Sequence, residues 1–175
     1  MGLGRVEDVW QLCEKYLGNW KDVFCAFMDL EKANDTIDRH GMWQMLRVYG
    51  VGGKLLKAVH SFYVDSRACV RVGNDVSEWF PVNMGLRQGC VMSPWLFNVY
   101  MDGVVGEVNV GVLGKELELL SANGGRFKIS QLLFADDTAL VADSEEKLTG
   151  LVSEFGSVCE RRKLRVNVGK SKVMR

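Results

Sequence analysis

Apolar positions along the chain change period several times, and each change marks an element. Val6, Val9, Trp10, Cys13 and Leu17 fall at helical spacing and predict an amphipathic helix over about residues 5–18. Val23–Met28 is a continuous apolar run of strand length that stops at Asp29. Asp35 is placed to cap a helix carrying Ile37, Met42, Met45, Leu46 and Tyr49, which Gly50, Gly52 and Gly53 end. A second helix is expected over about 54–64. Arg67–Val72 and Val76–Val82 read as two strands with Gly73-Asn74-Asp75 between them, the signature of a hairpin. Ser93-Pro94 opens a helix, with Ser93 as N-cap and Pro94 at the first helical position. Residues 107–127 are ambiguous: Glu116–Leu120 has a helical look, and Asn123-Gly124-Gly125 is a turn. Ile129–Ala135 and Thr138–Ala142 predict two strands joined by Asp136-Asp137. Ser144-Glu145-Glu146 starts a helix with Leu148, Leu151, Val152, Phe155 and Cys159 on one face, its acids suiting the positive end of the helix dipole. Leu164–Val168 reads as a final short strand. Strands and helices intermix without regular βα alternation, so the class is α+β with a mostly antiparallel sheet.

Composition narrows the classes without naming a function. With 47% hydrophobic and 25% charged residues, the 175-residue chain is an ordinary globular sequence rather than a disordered or fibrous one. Twenty-two bases balance 22 acids, and a zero net charge gives no hint of a nucleic-acid binder. That balance hides a split: residues 161–175 hold seven Lys or Arg and no acid. No run approaches the ~18 apolar residues of a membrane span. Arg5, Glu7 and Asp8 interrupt the apolar region a signal peptide needs, and Val6 stands where a myristoylation signal requires Ser or Thr. Cys13, Cys25, Cys69, Cys90 and Cys159 form no C-x-x-C pair and match no zinc spacing, so they are expected to be reduced thiols of an intracellular protein, in cytoplasm or nucleus.

The chemistry lies in where acids meet strands. Asp29 directly follows an apolar strand, and Asp136-Asp137 joins two more. A tight hairpin favours Asp-Gly or Asn-Gly, whereas adjacent carboxylates raise each other's pKa. A divalent cation removes that cost. Mg²⁺ takes oxygen ligands, commonly one or two carboxylates plus substrate phosphates, and two ions about 4 Å apart can activate a 3′-hydroxyl and stabilise a leaving pyrophosphate. Standing alone, the Asp-Asp pair would read first as an exposed acidic turn, with Asp29 merely ending its strand.

Four ordered segments change that. Phe27-Met28-Asp29-Leu30-Glu31-Lys32-Ala33-Asn34-Asp35, Gly85-Leu86-Arg87-Gln88-Gly89-Cys90-Val91-Met92-Ser93-Pro94-Trp95-Leu96-Phe97-Asn98, Phe134-Ala135-Asp136-Asp137 and Leu164-Arg165-Val166-Asn167-Val168-Gly169-Lys170-Ser171-Lys172 resemble, in order, four motifs of the reverse transcriptase palm, closest to the non-LTR (LINE-type) retrotransposon enzymes. The resemblance covers essentially the whole of residues 1–175 as one domain. It implies a mostly antiparallel, ferredoxin-like palm core with packed helices, and RNA-directed DNA polymerase activity that joins dNTPs to a primer 3′-hydroxyl. It also implies two Mg²⁺ ions, with Mn²⁺ able to substitute. Asp29 and Asp136 match the metal-binding aspartates, Asp137 a weaker or indirect ligand, and the Leu30 carbonyl a completing one. Arg87, Gln88 and Gly89 match the loop that lies against nucleotide and template. Glycine suits a close backbone approach, and glutamine both donates and accepts. Lys170 matches the lysine that protonates or neutralises pyrophosphate, with Lys172 as the alternative. The implied partners are an RNA template, a DNA primer and dNTPs, with no membrane. Asp35 reads as a helix cap rather than a metal ligand.

Two departures from the family pattern stand out. Asn34 occupies the position where the family carries a bulky aromatic that excludes a 2′-hydroxyl, so weaker discrimination against ribonucleotides is expected. The family's fingers motifs and thumb are also missing, so the chain is expected to be a truncated palm, a piece of a longer polyprotein with fingers, thumb or endonuclease segments. The alternatives are a catalytically inactive retroelement remnant that at most binds nucleic acid, and a metal- or partner-binding α+β module without polymer chemistry.

Overall fold

In a computed structural model of the chain, the described residues are 22–111, 117–120, 126–134 and 137–175. They form, in order, β1 (Phe24–Met28), α1 (Ala33–Thr36), α2 (Arg39–Val48), α3 (Gly53–Ser61), β2 (Arg67–Ala68), β3 (Arg71–Val72), β4 (Asp75–Val76), β5 (Phe80–Pro81), α4 (Ser93–Gly111), β6 (Leu117–Leu120), β7 (Arg126–Ile129), β8 (Gln131–Phe134), β9 (Asp137–Ala142), α5 (Glu145–Arg161) and β10 (Lys172–Met174). The helix expected over residues 5–18 lies outside the described residues. Two compact units divide the chain: described residues up to Ala33 and from Met101 onward form one, and Asn34–Tyr100 the other.

The first unit is built on a four-stranded sheet in the order β10-β1-β9-β8, antiparallel throughout. The apolar runs behind β1 and β9 explain why these two strands are central. Cys25, Ala26, Leu140, Val141 and Ala142 are all buried, so both faces of these strands are covered. On one face Val23, Cys25, Ala139 and Val141 cluster, with Phe27, Ile129 and Leu132 packed against them. Helix α5 packs on β1 and β9 and buries Leu148, Leu151, Phe155, Val158 and Cys159. Each such side chain is worth roughly 1.5–3 kcal/mol of burial. Ser144 caps α5 as its sequence foretold, accepting from the Lys147 N–H. In this unit α4 contributes buried Met101, Val104 and Val108, and is tied to β8 by Gln131, whose Nε2 donates to the Val105 carbonyl (3.1 Å) and to Asn109 Oδ1 (2.8 Å).

Three expectations fail in this unit. Leu117–Leu120 is a strand paired with β7, not a helix, because cross-strand pairing overrides the weak local helical propensity of a four-residue segment. Leu164–Val168 is not a strand of the sheet: only Val166 bridges, to Leu30, and the edge strand is β10, paired with β1 from Cys25 to Phe27. Asp137 is the first residue of β9, opposite Phe134, rather than part of the connecting tip.

The second unit holds α2, α3 and a hairpin. Asp38 caps α2, not Asp35: Asp38 Oδ2 accepts from the Gly41 N–H at 2.9 Å, while Asp35 lies inside the short α1. Met42, Trp43 and Leu46 form the buried face of α2, and Trp43 packs edge-on to Tyr63. The hairpin forms around Gly73 (φ +62°), but as two short ladders, β3–β4 inside β2–β5. Two residues, Cys69 and Val70, face three, Ser77 to Trp79, so the second arm carries a bulge of the kind that breaks a ladder and increases twist. Reciprocal bonds from the Val70 N–H to Ser77 Oγ and from the Ser77 N–H to the Val70 carbonyl, both 2.9 Å, hold that bulge. Ser93 is not the side-chain cap expected for α4. Its hydroxyl donates to the Arg87 carbonyl at 2.7 Å, which binds the helix start to the preceding loop.

Candidate active site

The register of β1 and β9 decides where the acids fall. The ladder runs from Phe24↔Ala142 to Met28↔Thr138. One further step in the same register brings Asp29 level with Asp137. Side chains alternate along strands, so both acids share the face of Cys25, Ala139 and Val141. Asp137 is exposed and Asp29 half-buried. Asp136 lies outside the described residues.

The segment after α5 fixes the Asp29 backbone. The Asn167 N–H donates to the Asp29 carbonyl (2.8 Å) and the Glu31 N–H to the Arg165 carbonyl (2.8 Å), the two bonds that flank the Leu30↔Val166 bridge. Neither uses the Leu30 carbonyl, which an antiparallel bridge of this kind directs away from the partner strand. The Asp29 N–H donates to Ser171 Oγ (3.3 Å), and that hydroxyl donates in turn to the Asn167 carbonyl (2.8 Å). The same turn carries Lys170, whose Nζ stands 4.0 Å from Asp29 Oδ2 with its side chain 74% exposed. At that exposure the pair is worth little as a stabilising contact, and the ammonium is free to swing on its four-carbon stem. Lys172 is an exposed member of β10, paired with Phe27.

The nucleotide-loop residues lie in the second unit and are organised by glycine. The Gly85 N–H donates to the Ile37 carbonyl (2.9 Å) and the Leu86 N–H to the Asn34 carbonyl (2.8 Å). A Cβ on Gly85 would sit 2.4 Å from the Asp35 carbonyl oxygen, and its φ is +75°. Only glycine satisfies both conditions. Gly89 (φ +76°) is the opposite case: among the described residues nothing lies within 4 Å of its Cβ position, and it is exposed, so a ligand could approach it. Gln88 is exposed and its Nε2 donates to Asp35 Oδ1 at 3.1 Å. Asn34 and Arg87 have exposed side chains.

Sequence reasoning missed three supports of these sites. Arg39 anchors the stretch before Gln88: Nε donates to the Gly85 carbonyl (2.9 Å), Nη1 to Val82 (2.7 Å) and Nη2 to Met84 (3.1 Å), with the guanidinium 5.0 Å from the Tyr63 ring centroid. Desolvation by burial lowers its pKa from the ordinary arginine value. No sequence pattern marks such a hub, because its hydrogen-bond partners are all backbone carbonyls. Asn167 was read as part of a strand and Ser171 only as a member of the fourth motif, although Asn167-Val168-Gly169 carries turn chemistry. Among the described residues no three His, Cys, Asp or Glu side chains gather as a metal-binding group, and Asp136 is not among those residues. Metal-ligand chemistry nevertheless fits the described donors: two carboxylates in register on one face, and a backbone carbonyl left out of its bridge, are the hard oxygen set Mg²⁺ prefers.

An antiparallel sheet backed by α5 and α4, with acids at the end of its central strands, belongs to the α+β polymerase-palm class. Solved structures bear this out. The chain is similar to telomerase from Candida albicans in complex with a TWJ fragment of telomeric RNA (TM-score 0.73, 13% identity, over 99% of this chain and 31% of that one). It is similar also to apo telomerase from Candida tropicalis truncated from the C-terminal domain (TM-score 0.70, 13% identity, over 99% and 36%). Within that class, residues 6–175 match the family "Reverse transcriptase (RNA-dependent DNA polymerase)", and the chain belongs to it. Curated relatives are the Pol polyproteins of R2 retrotransposable elements: 29% identity to that of Nasonia vitripennis over 77% of this chain, and 26% to that of Drosophila melanogaster over 78%. They mark it as a reverse transcriptase domain of the non-LTR kind. The match spans only 12% of the length of either relative.

Proposed function

We propose that this domain carries the catalytic centre of an RNA-directed DNA polymerase, extending a DNA primer with dNTPs along an RNA template as part of a longer retroelement polyprotein. The observation that supports this most is the continuation of the β1–β9 register, which aligns Asp29 with Asp137 on one face, directly after Asp136 in the chain. Asp29, Asp136, Asp137 and the Leu30 carbonyl would hold two Mg²⁺ ions, or Mn²⁺, which when bound supply Lewis-acid activation of the primer 3′-hydroxyl and charge neutralisation of pyrophosphate.

The chain's own residues do the rest. The Asn167 and Ser171 bonds fix the Asp29 backbone, so its carboxylate is positioned before substrate arrives. Such pre-organisation is worth many kcal/mol when reacting groups must align. Lys170 Nζ pairs with Asp29 and is free to turn toward the leaving pyrophosphate, to which it delivers a proton or a charge. Gln88 and the open Gly89 backbone lie against nucleotide and template, and Arg87 offers a cation to phosphate. Asn34 takes the place of a sugar-excluding ring.

Primer extension on an RNA template, with and without added fingers and thumb segments, tests this reading. Extension is expected to depend on Mg²⁺ or Mn²⁺ and to vanish in Asp136→Asn. Activity that survives the substitution, or a wild type that extends nothing in either format, sinks the proposal. Asn34 favours one second reading: a folded domain that binds nucleic acid without turnover. A remnant that has lost the site would bind neither metal appreciably in Mg²⁺ and Mn²⁺ titrations.

A further inference from the structure

Asp35 was expected to cap a helix, and it does not: Asp38 does that work. What the Asp35 side chain does instead is accept from Gln88 Nε2. That contact carries chemical information beyond its strength. A glutamine amide has a donor end and an acceptor end, and rotation about χ3 exchanges them. An ionised carboxylate only accepts, so whichever end of Gln88 meets Asp35 must be the NH₂. Asp35 thereby fixes the flip, and Gln88 Oε1, which accepts from none of the described residues, is the end left for a ligand.

The surrounding backbone makes this a set geometry. Asn34 to Ile37 and Gly85-Leu86 are joined by the two backbone bonds above and by the contact that forbids a Cβ at Gly85. Two segments some fifty residues apart in sequence are thus held together by main chain, with the Asp35 and Gln88 side chains facing one another across them. Packing in this region uses the Asp35 carbonyl, not its carboxylate, so removing the carboxylate leaves the clamp of main chain in place.

Resting on the polymerase reading of Gln88, we propose that Asp35 is a positioning residue of the nucleotide site: it orients the Gln88 amide so that Oε1 accepts from a donor group, hydroxyl or exocyclic amine, on the incoming nucleotide or its template partner. Asp35 itself touches no substrate.

The test is a mutant cycle in the full chain with Asp35→Ala, Asp35→Asn, Gln88→Ala and the double alanine variant, following KM for dNTP, kcat, and the side-chain amide signal of Gln88 in ¹⁵N–¹H spectra. A hydrogen bond to a charged group of this kind predicts a rise in KM of about three- to tenfold for Asp35→Ala, with kcat little changed. The double variant should match Gln88→Ala alone. Asp35→Asn should fall between, because an asparagine can accept from the Gln88 amide nitrogen or donate to its oxygen, and so pairs with either flip without fixing one. Gln88's amide signal should move in both Asp35 variants while the backbone spectrum stays native. Additive effects of the two alanine substitutions, an unchanged KM in Asp35→Ala, or an unmoved Gln88 amide each overturn the proposal. A wild type without nucleotide incorporation overturns the polymerase reading instead, and the amide signal by itself then decides whether Asp35 holds Gln88.

Discussion

Single residues set the tolerances of this domain. Asn34 is exposed and spends its carbonyl on the Leu86 N–H, so its side chain is not needed for packing. On the proposed polymerase reading, Asn34→Phe places a ring beside the nucleotide sugar, and is expected to raise the preference for deoxy- over ribonucleotides. An incorporation ratio equal to that of the wild type would disprove the role. Gly85 is the strictest position. Gly85→Ala places a Cβ 2.4 Å from the Asp35 carbonyl oxygen at a φ of +75°, and neither the backbone oxygen nor the dihedral can yield cheaply. The expected loss is about 3 kcal/mol or more in denaturant unfolding, of the size seen where overpacking and backbone strain combine. A stability within about 0.5 kcal/mol of the wild type would rule the close approach out. Cys159 illustrates the reverse case: burial pushes its thiol up to about 12, which makes it a core residue and not a reactive one.

At the level of elements, caps and ladders decide where the chain turns. Asp38→Ala removes the acceptor for the Gly41 N–H and should cost about 0.5–2 kcal/mol, lowering Tm by a few degrees, whereas Asp35→Ala should leave Tm unchanged. If thermal melts rank the two the other way, the cap has been misassigned. Most of the amphipathic face of α5 was readable from apolar residues three and four apart, but Val158 is buried without having been read, and Val152 is only half-buried. The start of α2 was not readable. Asp35 and Asp38 are both good caps, and the choice between them follows from Gly85 and Leu86 pairing with the Asn34 and Ile37 carbonyls, contacts with no local signature. The same holds for Leu164–Val168, whose apolar alternation suggests a strand. Its backbone is taken by Asp29 and Glu31 in a single bridge, and the sheet edge passes to Lys172–Met174.

For the whole molecule the informative quantity is charge distribution. Zero net charge conceals a basic end, in which Arg161 pairs with Glu154, Arg162 with Glu107 and Arg175 with Asp22. Arg165 and Lys172 are exposed and enter no ion pair among the described residues. If they meet nucleic-acid phosphates, Arg165→Ala and Lys172→Ala should each lower the slope of log affinity against log salt by about one for a primer–template duplex. An unchanged slope would place the duplex elsewhere. No helix among the described residues is long and apolar enough to cross a membrane.

The sequence by itself determined the family, the α+β class, the strand that ends before Asp29, the strand Thr138–Ala142 and most of the α5 face. Each of these is written in local period or in short ordered motifs. Tertiary structure alone decided that β1 and β9 are neighbours in the register that aligns Asp29 with Asp137. It alone decided that Asn167 and Ser171 hold the Asp29 backbone, and that Asp35 serves Gln88 instead of a helix end. The physical reason is common to all three. A hydrogen bond between segments distant in sequence is satisfied by a donor and an acceptor that every residue possesses, so composition and spacing leave its partner open until packing brings the two together.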